Sequence, residues 1–162
     1  MSEKRTVGIV GSREYERLGD VKAFILVRLT SKTHRIVSGG ARGVDSEAAD
    51  VCRFLGIEVK EHLPTDIAGP GDEAKKEPPY TYAVWKLFAR NTLIAKDADE
   101  LHAFIRHGLR SNGTFDTVAK AAKFGKPITM HYSNGEVREF IFPVPPTRHR
   151  LESLVYYWEV PQ

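Results

Sequence analysis

Apolar residues occur along the chain in short runs that alternate with longer segments of helical spacing. The short runs are mostly apolar, which is typical of buried strands. They span residues 6–11, 34–38, 57–63, 100–105 and 127–132. The longer segments place apolar residues three or four positions apart, as on one face of a helix. They span residues 20–31, 44–55, 80–97 and 113–124.

This alternation predicts an α/β fold, here a Rossmann-like three-layer sandwich with a mostly parallel sheet. Asp20 is the expected N-cap of the first helix. The sequence Ser133-Asn134-Gly135-Glu136 predicts a hairpin, because Asn-Gly supplies the positive φ angles of a type I′ turn. Residues 136–142 are therefore expected to return antiparallel, as a C-terminal hairpin at the sheet edge.

Two segments fall outside this pattern. Residues 64–79 contain four prolines and are long for a connection, which indicates a functional lid or a disordered excursion. Residues 143–162 begin proline-rich and end with apolar side chains that would be costly to expose. Those side chains are Leu151, Leu154, Val155, Tyr156, Tyr157 and Trp158. We expect residues 1–142 to form the domain and residues 143–162 to dock on it or on a dimer partner.

Composition restricts the class of protein. The 162 residues are 41% hydrophobic and 28% charged, as in one ordinary globular domain. The formal net charge of +3 favours an anionic ligand and is too small to indicate a polyanion by itself. Cys52 is the only cysteine, so no internal disulfide forms, and we interpret it as a buried small hydrophobic residue. No apolar run spans a membrane, and we expect a cytoplasmic protein without a membrane partner.

Glycines and small hydroxyl residues follow three of the predicted strands. In a doubly wound sheet, ligands bind at the carboxyl ends of the strands. Glycine lets the backbone approach a ligand, and the N–H groups at a helix start lack partners and favour negative charge. A phosphate satisfies both conditions, and nearby arginines would add bidentate contacts. The candidate phosphate-binding residues are Gly11, Ser12, Arg13, Ser38, Gly39, Gly40, Ala41, Arg42, Gly43, Asp45, Arg90, Asn91, Ser111, Asn112, Gly113, Thr114 and Thr117.

Each of these groups also has a purely structural interpretation. Gly39-Gly40 would serve a tight turn, Asp45 would be an ordinary acid near a helix start, and the arginines would be solvated. Several ligand classes are disfavoured. The first strand is not followed by G-x-G-x-x-G, and no G-x-x-x-x-G-K-[ST] occurs, so neither an NAD-dependent dehydrogenase nor a P-loop NTPase is expected. The six histidines show no zinc-binding spacing, and we expect neither a metal nor a cofactor.

The motifs together resemble those of a known superfamily. "VGIVGSR", "IVSGGARGVDSEAAD", "RNTLIAKDADELHAFI" and "SNGTFDTVAKAAKFGKP" follow one another as in the SLOG superfamily. Its members include the DprA/Smf family, the YpsA/YspA-like proteins and the LOG nucleotide phosphoribohydrolases, and this chain is most similar to the YspA-like group. The resemblance covers about residues 7–127. It implies a Rossmann-like fold that binds nucleotides or nucleotide-derived ligands, often as a dimer.

The resemblance also implies an activity, from which the sequence departs at one position. LOG enzymes pair an arginine with a glutamate three residues after the loop threonine and cleave a base–ribose bond. Arg90 matches that arginine, but Thr117 stands at the glutamate position and cannot act as a carboxylate. Asp116 lies about 100° away around the helix. The catalytic candidates are therefore Arg90 with Asp45 or Asp116.

Three functional hypotheses remain. The first is a sensor or module that binds a nucleotide-derived small molecule through the glycine-rich strand ends. The second is a LOG-like nucleoside 5′-monophosphate N-glycosidase. The third is DprA-like binding of single-stranded nucleic acid, which the arginines fit but the sparse aromatic residues near the motifs do not.

Overall fold

The computed structural model describes residues 3–63, 79–107 and 112–140, which form alternating strands and helices. The elements, in chain order, are β1 (Arg5–Gly11), α1 (Leu18–Arg28), β2 (His34–Ser38), α2 (Val44–Phe54), β3 (Glu58–Glu61), α3 (Pro79–Asp97), β4 (Glu100–Ile105), α4 (Asn112–Lys123), β5 (Ile128–Tyr132) and β6 (Val137–Phe140). The fold is the Rossmann-like three-layer α/β sandwich that the sequence predicts.

One sheet holds all six described strands, in the order β3-β2-β1-β4-β5-β6. Strands β1 to β5 are parallel, and β6 pairs antiparallel with β5 at the edge. The chain moves outward from β1 to β3, returns to the centre through α3, and then moves the other way through β4 and β5. The direction therefore reverses between β1 and β4, which is where open α/β sheets bind ligands.

Two apolar cores lie on the two faces of the sheet. On one face, Val21 and Ile25 of α1 and Ala48 of α2 pack against β1 and β2. On the other face, α3 and α4 cover the sheet with buried small residues such as Ala95 and Ala121. Strand β1 is buried on both faces, which explains why its sequence is apolar at consecutive positions rather than alternating.

The structure corrects two local predictions. Helix α1 begins at Leu18, so Asp20 is not its N-cap and lies in its first turn, where its carboxylate accepts a hydrogen bond from the Tyr15 hydroxyl. The predicted hairpin is present, but its turn is not type I′. Among the described residues only glycines have positive φ, and Gly135 has φ 94° while Asn134 does not. The Tyr132 amide donates a hydrogen bond to the Glu136 carbonyl, so residues 133–135 form a three-residue loop with Gly135 in the left-handed region.

Several predictions concern residues outside the described ranges. They are the lid interpretation of residues 64–78, the place of Ser111, and the docking of residues 143–162. Pro79, which the sequence assigned to the loop, is the first residue of α3. No helix within the described ranges is long and apolar enough to cross a bilayer.

Candidate functional site

The loops that follow β1 and β2 lie in contact at the carboxyl edge of the sheet. Gly43, which precedes α2, has φ 84°, a conformation that side-chain-bearing residues rarely adopt. A Cβ at this position would lie 3.0 Å from the Cα of Arg13 and 3.1 Å from the carbonyl oxygen of Ser12. Glycine is therefore required here, because it lets the two loops approach each other.

Helix α3 brings a buried arginine to the same place. Only 8% of Arg90 is exposed, and its Nη1 donates a hydrogen bond to the carbonyl oxygen of Gly39 at 2.5 Å. A Cβ on Gly39 would lie 2.5 Å from that Nη1 and 3.1 Å from Oδ2 of Asp45. The missing side chain of Gly39 thus makes room for a guanidinium and a carboxylate on the same backbone segment.

Asp45, in the first turn of α2, is the buried acid of this cluster. Its Oδ2 accepts a hydrogen bond from the Ala41 amide at 3.2 Å. Burial raises the pKa of Asp45 to about 7, although the amides of Ala41 and Gly39 and the Arg90 guanidinium favour the ionised form. Its carboxylate already occupies one amide of the glycine-rich loop, so that amide is not open to a ligand as the sequence suggested.

Two buried oxygens in this region lack a hydrogen-bond partner within the described structure. They are Oδ1 of Asp45 and Oγ of Ser38. Ser38 ends β2 two residues after Ile36, and alternation along the strand places its side chain on the face that α2 covers. Each unsatisfied buried group costs about 1–3 kcal/mol. Such groups indicate a place where a ligand or water supplies the missing partner.

A chain of hydrogen bonds fixes the guanidinium from the side of α4. Nε of Arg90 donates to Oδ1 of Asn91 at 3.0 Å, and Nδ2 of Asn91 donates to Oδ2 of Asp116 at 3.1 Å. Lys120 donates to the same Asp116 oxygen at 2.8 Å. Sequence reasoning did not identify Lys120, although its i,i+4 spacing from Asp116 is typical of a helical ion pair. Asn91 is only 3% exposed and serves as the link between the two helices.

Comparison with known proteins supports the assignment of the superfamily. The sequence profile of the DNA recombination-mediator protein A family matches residues 1–62, which include the loops after β1 and β2. The fold is similar to that of DNA processing protein A from Helicobacter pylori, studied for its single-stranded DNA binding mode (TM-score 0.58, 22% identity, 78% of this chain and 64% of that chain). The profile match over residues 1–62 and the shared fold support a relationship to the SLOG superfamily.

Two further solved structures have a similar fold. DNA processing protein A from Streptococcus pneumoniae has a TM-score of 0.59 and 18% identity over 94% of this chain and 56% of its own. The structural-genomics target TM1055 has a TM-score of 0.53 and 21% identity over 76% of this chain and 72% of its own. This chain thus spans less than two thirds of the length of the two DNA processing proteins. Comparison with curated proteins gives no significant match.

Some of the remaining candidate ligand-binding residues are buried and others are exposed. Ser12 is buried, and its Oγ accepts a hydrogen bond from the Glu14 amide, so it stabilises the loop after β1. Arg13 and Arg42 are exposed at the mouth of the site. Thr114 is buried in the first turns of α4. Six candidates lie at or just after the ends of β1 and β2: Gly11, Ser38, Gly39, Gly40, Ala41 and Gly43. Asn112 and Gly113 are the first helical residues of α4.

The three candidate catalytic residues lie in different surroundings. Asp45 and Arg90 approach the same backbone segment at Gly39. Asp116 is paired with Lys120 and serves Asn91, so its carboxylate is already engaged. Thr117 donates to the Gly113 carbonyl within its own helix at 3.2 Å. Asp45 is therefore the carboxylate whose position best suits a reaction beside Arg90.

Proposed function

We propose that this chain binds the phosphate group of a nucleotide or nucleotide-derived ligand beside Arg90, at the carboxyl ends of β1 and β2. The observation that supports the proposal most strongly is the buried guanidinium of Arg90, fixed between Gly39 and Asn91. A guanidinium has five N–H donors, and these bonds use two of them. A planar, pre-positioned donor group of this kind suits a phosphate.

The charge balance supports an anionic ligand. Burial lowers the pKa of Arg90, and the nearby Asp45 opposes that shift. Because the pKa of Asp45 is raised to about 7, its carboxyl group is partly neutral near neutral pH and compensates Arg90 incompletely. An anion beside Arg90 would supply the missing negative charge. It would also favour the protonated form of Asp45.

The start of α2 adds a second source of positive potential. Gly43 is its N-cap and offers no side chain to the first-turn amides. Such amides attract an anion through their hydrogen atoms and the helix dipole. Arg13 and Arg42 are exposed in the loops after β1 and β2 and would meet a ligand that extends beyond the phosphate, such as a ribose with a second phosphate.

Single-stranded DNA is a second candidate ligand. The observations that favour it are the family profile over residues 1–62 and the H. pylori relative whose single-stranded DNA binding mode is known. A strand would place one of its phosphates beside Arg90 and its neighbours along Arg13 and Arg42. This candidate predicts steep salt dependence, whereas a small nucleotide held mainly at Arg90 predicts a shallow one.

N-glycosidase activity is retained as an enzymatic alternative that depends on Asp45. A carboxyl group with a pKa near 7 is suited to general acid–base catalysis. We also propose that the protein acts in the cytoplasm and forms a homodimer, as the resemblance to the superfamily implies.

The test is calorimetric titration with AMP, ADP-ribose, NAD, cyclic AMP and a short single-stranded oligonucleotide. Arg90→Gln is expected to weaken the bound ligand at least about tenfold, since a hydrogen bond to a charged group contributes about 1.5–3 kcal/mol. Arg90→Lys keeps the charge and is expected to recover part of the affinity. Arg53→Gln is the matched control, because Arg53 is exposed at the far end of α2.

Two outcomes would contradict the proposal. One is that no phosphate-bearing ligand binds, and the other is that Arg90→Gln and Arg53→Gln bind equally well while both remain folded. Chromatography of the AMP mixture separately tests the enzymatic alternative. That alternative requires the wild type to release free adenine and Asp45→Asn to release none.

A further inference from the structure

One half of the sheet lacks a described helix on the α1 side. Right-handed crossovers from β1 to β3 place α1 and α2 over the half formed by β1, β2 and β3, and α3 and α4 lie on the opposite face. Within residues 3–63, 79–107 and 112–140, the side of β5 and β6 that faces α1 is approached only at its rim, by Phe24 and Arg28. The topology thus leaves a surface that no described element covers.

The side chains on this surface differ from those on the opposite side of the same strands. Ile128, Met130 and Tyr132 of β5 are buried, whereas Thr129 and His131 alternate with them and are only half-buried. His131 is paired in register with Val137, and Thr129 with Glu139, so these β6 residues lie on the same face. Val137 is 55% exposed. Strand β5 pairs in parallel with β4, and strands of a parallel sheet normally have both faces covered.

The surface contains a cavity of about 240 Å³. Its lining is aromatic and polar together: the His102 ring lies 4.4 Å from the Phe24 ring, and His131 stacks on Phe104 at 4.2 Å. Glu100 and Glu139 add acidic groups to the lining. Such a lining suits side chains that combine apolar rings with polar or basic groups.

The position of the chain beyond β6 identifies an occupant. Strand β6 ends at Phe140, which itself lines the cavity, and residues 141–162 follow directly. Residues 64–78 instead follow β3, at the opposite edge of the sheet, and residues 108–111 are a short connection after β4. Adjacent strands are about 4.8 Å apart, so β4 lies about 10 Å from β6. A few extended residues after Phe140 span that distance.

The sequence of this segment matches the surface in chemistry. Tyr156, Tyr157 and Trp158 supply rings with polar edges, and Arg148 and Arg150 supply charges opposite to that of Glu139 in the cavity lining. We propose that residues 141–162 fold back on the face of β5 and β6 that points toward α1, in the same chain. The segment thereby completes the layer that α1 and α2 begin. This inference is independent of the ligand proposed for the Arg90 site.

Site-specific photo-crosslinking in the full chain tests this arrangement. Benzoylphenylalanine at position 137 projects from the proposed face, and the same group at position 138 is the matched control. Arg138 is paired with Met130, which faces the α3 and α4 layer, so position 138 projects from the other side of β6. The reaction is performed on an equal mixture of ¹⁵N-labelled and unlabelled chains, and peptides are identified by mass spectrometry.

The proposal predicts crosslinks from position 137 to peptides of residues 141–162 that carry the same isotope label, and at least about tenfold fewer from position 138. Mixed-label crosslinks would overturn it in favour of a second copy of the chain on this surface. Equal yields from positions 137 and 138, or no crosslink to residues 141–162, would also overturn it. Melting temperatures of both labelled proteins verify that each is folded.

Discussion

Two clusters in the described structure, one around Glu100 and one around Asp45, each place a carboxylate near cationic or imidazole groups, and they behave in opposite ways. At β4, Glu100 accepts hydrogen bonds from His102 and Arg5, and these contacts lower its pKa to about 2 despite partial burial. At α2, burial dominates and raises the pKa of Asp45 to about 7. The first cluster has its carboxylate charge compensated by its neighbours, whereas the second retains an unpartnered carboxylate oxygen.

The difference separates a structural ion pair from a candidate ligand site. A carboxylate held by direct donors stabilises the fold and has little tendency to change its protonation state. A buried carboxyl group near an arginine, with one oxygen unsatisfied, gains from any ligand that changes the local charge. Substitutions in the two clusters should therefore affect different measurements.

The largest effect on ligand binding is expected from Gly39→Ala. The added Cβ would lie 2.5 Å from Nη1 of Arg90, so the guanidinium would have to leave its position. We expect affinity for the ligand to fall at least about tenfold, which corresponds to about 1.4 kcal/mol. Gly19→Ala is the control, because a Cβ at Gly19 meets no atom within 4 Å. Equal affinities of the two variants, measured by calorimetry, would argue against this geometry.

Asp45→Asn is expected to strengthen ligand binding, whereas Gly39→Ala weakens it. Removing the carboxylate charge should strengthen binding of an anion several-fold at pH 8 and abolish the dependence of affinity on pH near 7. The pKa of Asp45 is raised on folding, from 3.8 to about 7, so ionisation opposes folding. The wild type should lose stability relative to Asp45→Asn as pH rises from about 4 to 7, and the difference should be constant above that. Thermal unfolding at several pH values measures this, and a flat difference would contradict it.

A smaller effect is expected from Asp116→Asn. This change removes the charge that holds Lys120 and weakens the position of Asn91, which in turn orients Arg90. Since the effect passes through another side chain, we expect a loss of affinity of about two- to threefold, or roughly 0.5 kcal/mol. Lys96→Gln is a control at the exposed end of α3. A loss as large as that of Gly39→Ala would show that Asp116 contacts the ligand itself.

Glu100→Gln should leave ligand binding unchanged and lower stability. The pKa of Glu100 is depressed on folding, so its contribution is present above its unfolded value of 4.5 and is lost as pH falls toward 2. We expect a loss of about 1–2 kcal/mol at pH 7 that shrinks below pH 4.5. Chemical denaturation measures the change in stability, and calorimetry measures ligand affinity. A change in affinity would contradict the assignment of the Glu100 cluster to a purely structural role.

The sequence predicted the fold well, because the fold depends on periodicity that neighbouring residues display. Buried β1 and the alternation in β5 are visible in the order of apolar residues. The motifs drew attention to the loops after β1 and β2, which the structure brings into contact at Gly43 and Arg13, and their role as one ligand site stays a prediction. Local geometry was predicted less well, since the N-cap of α1 and the type of the turn at Gly135 depend on a few dihedral angles rather than on a repeated pattern.

The chemistry of the candidate site required three-dimensional information. Arg90 and Asp45 are far apart in sequence, and nothing in their spacing indicates that both approach Gly39. The raised pKa of Asp45 results from burial, which depends on packing around α2. The link from Lys120 through Asp116 to Asn91 joins two helices, and only its i,i+4 part is visible in the sequence.

Proton uptake on ligand binding tests the central claim most directly. Calorimetry at pH 7 in two buffers of different ionisation enthalpy measures it. The ligand is ADP-ribose or a single-stranded oligonucleotide without terminal phosphate, neither of which has a phosphate group that titrates near pH 7. If a phosphate binds beside Arg90, the protein should take up a fraction of a proton at Asp45, and Asp45→Asn should take up none. Binding without proton uptake, or equal uptake by wild type and Asp45→Asn, would contradict the account.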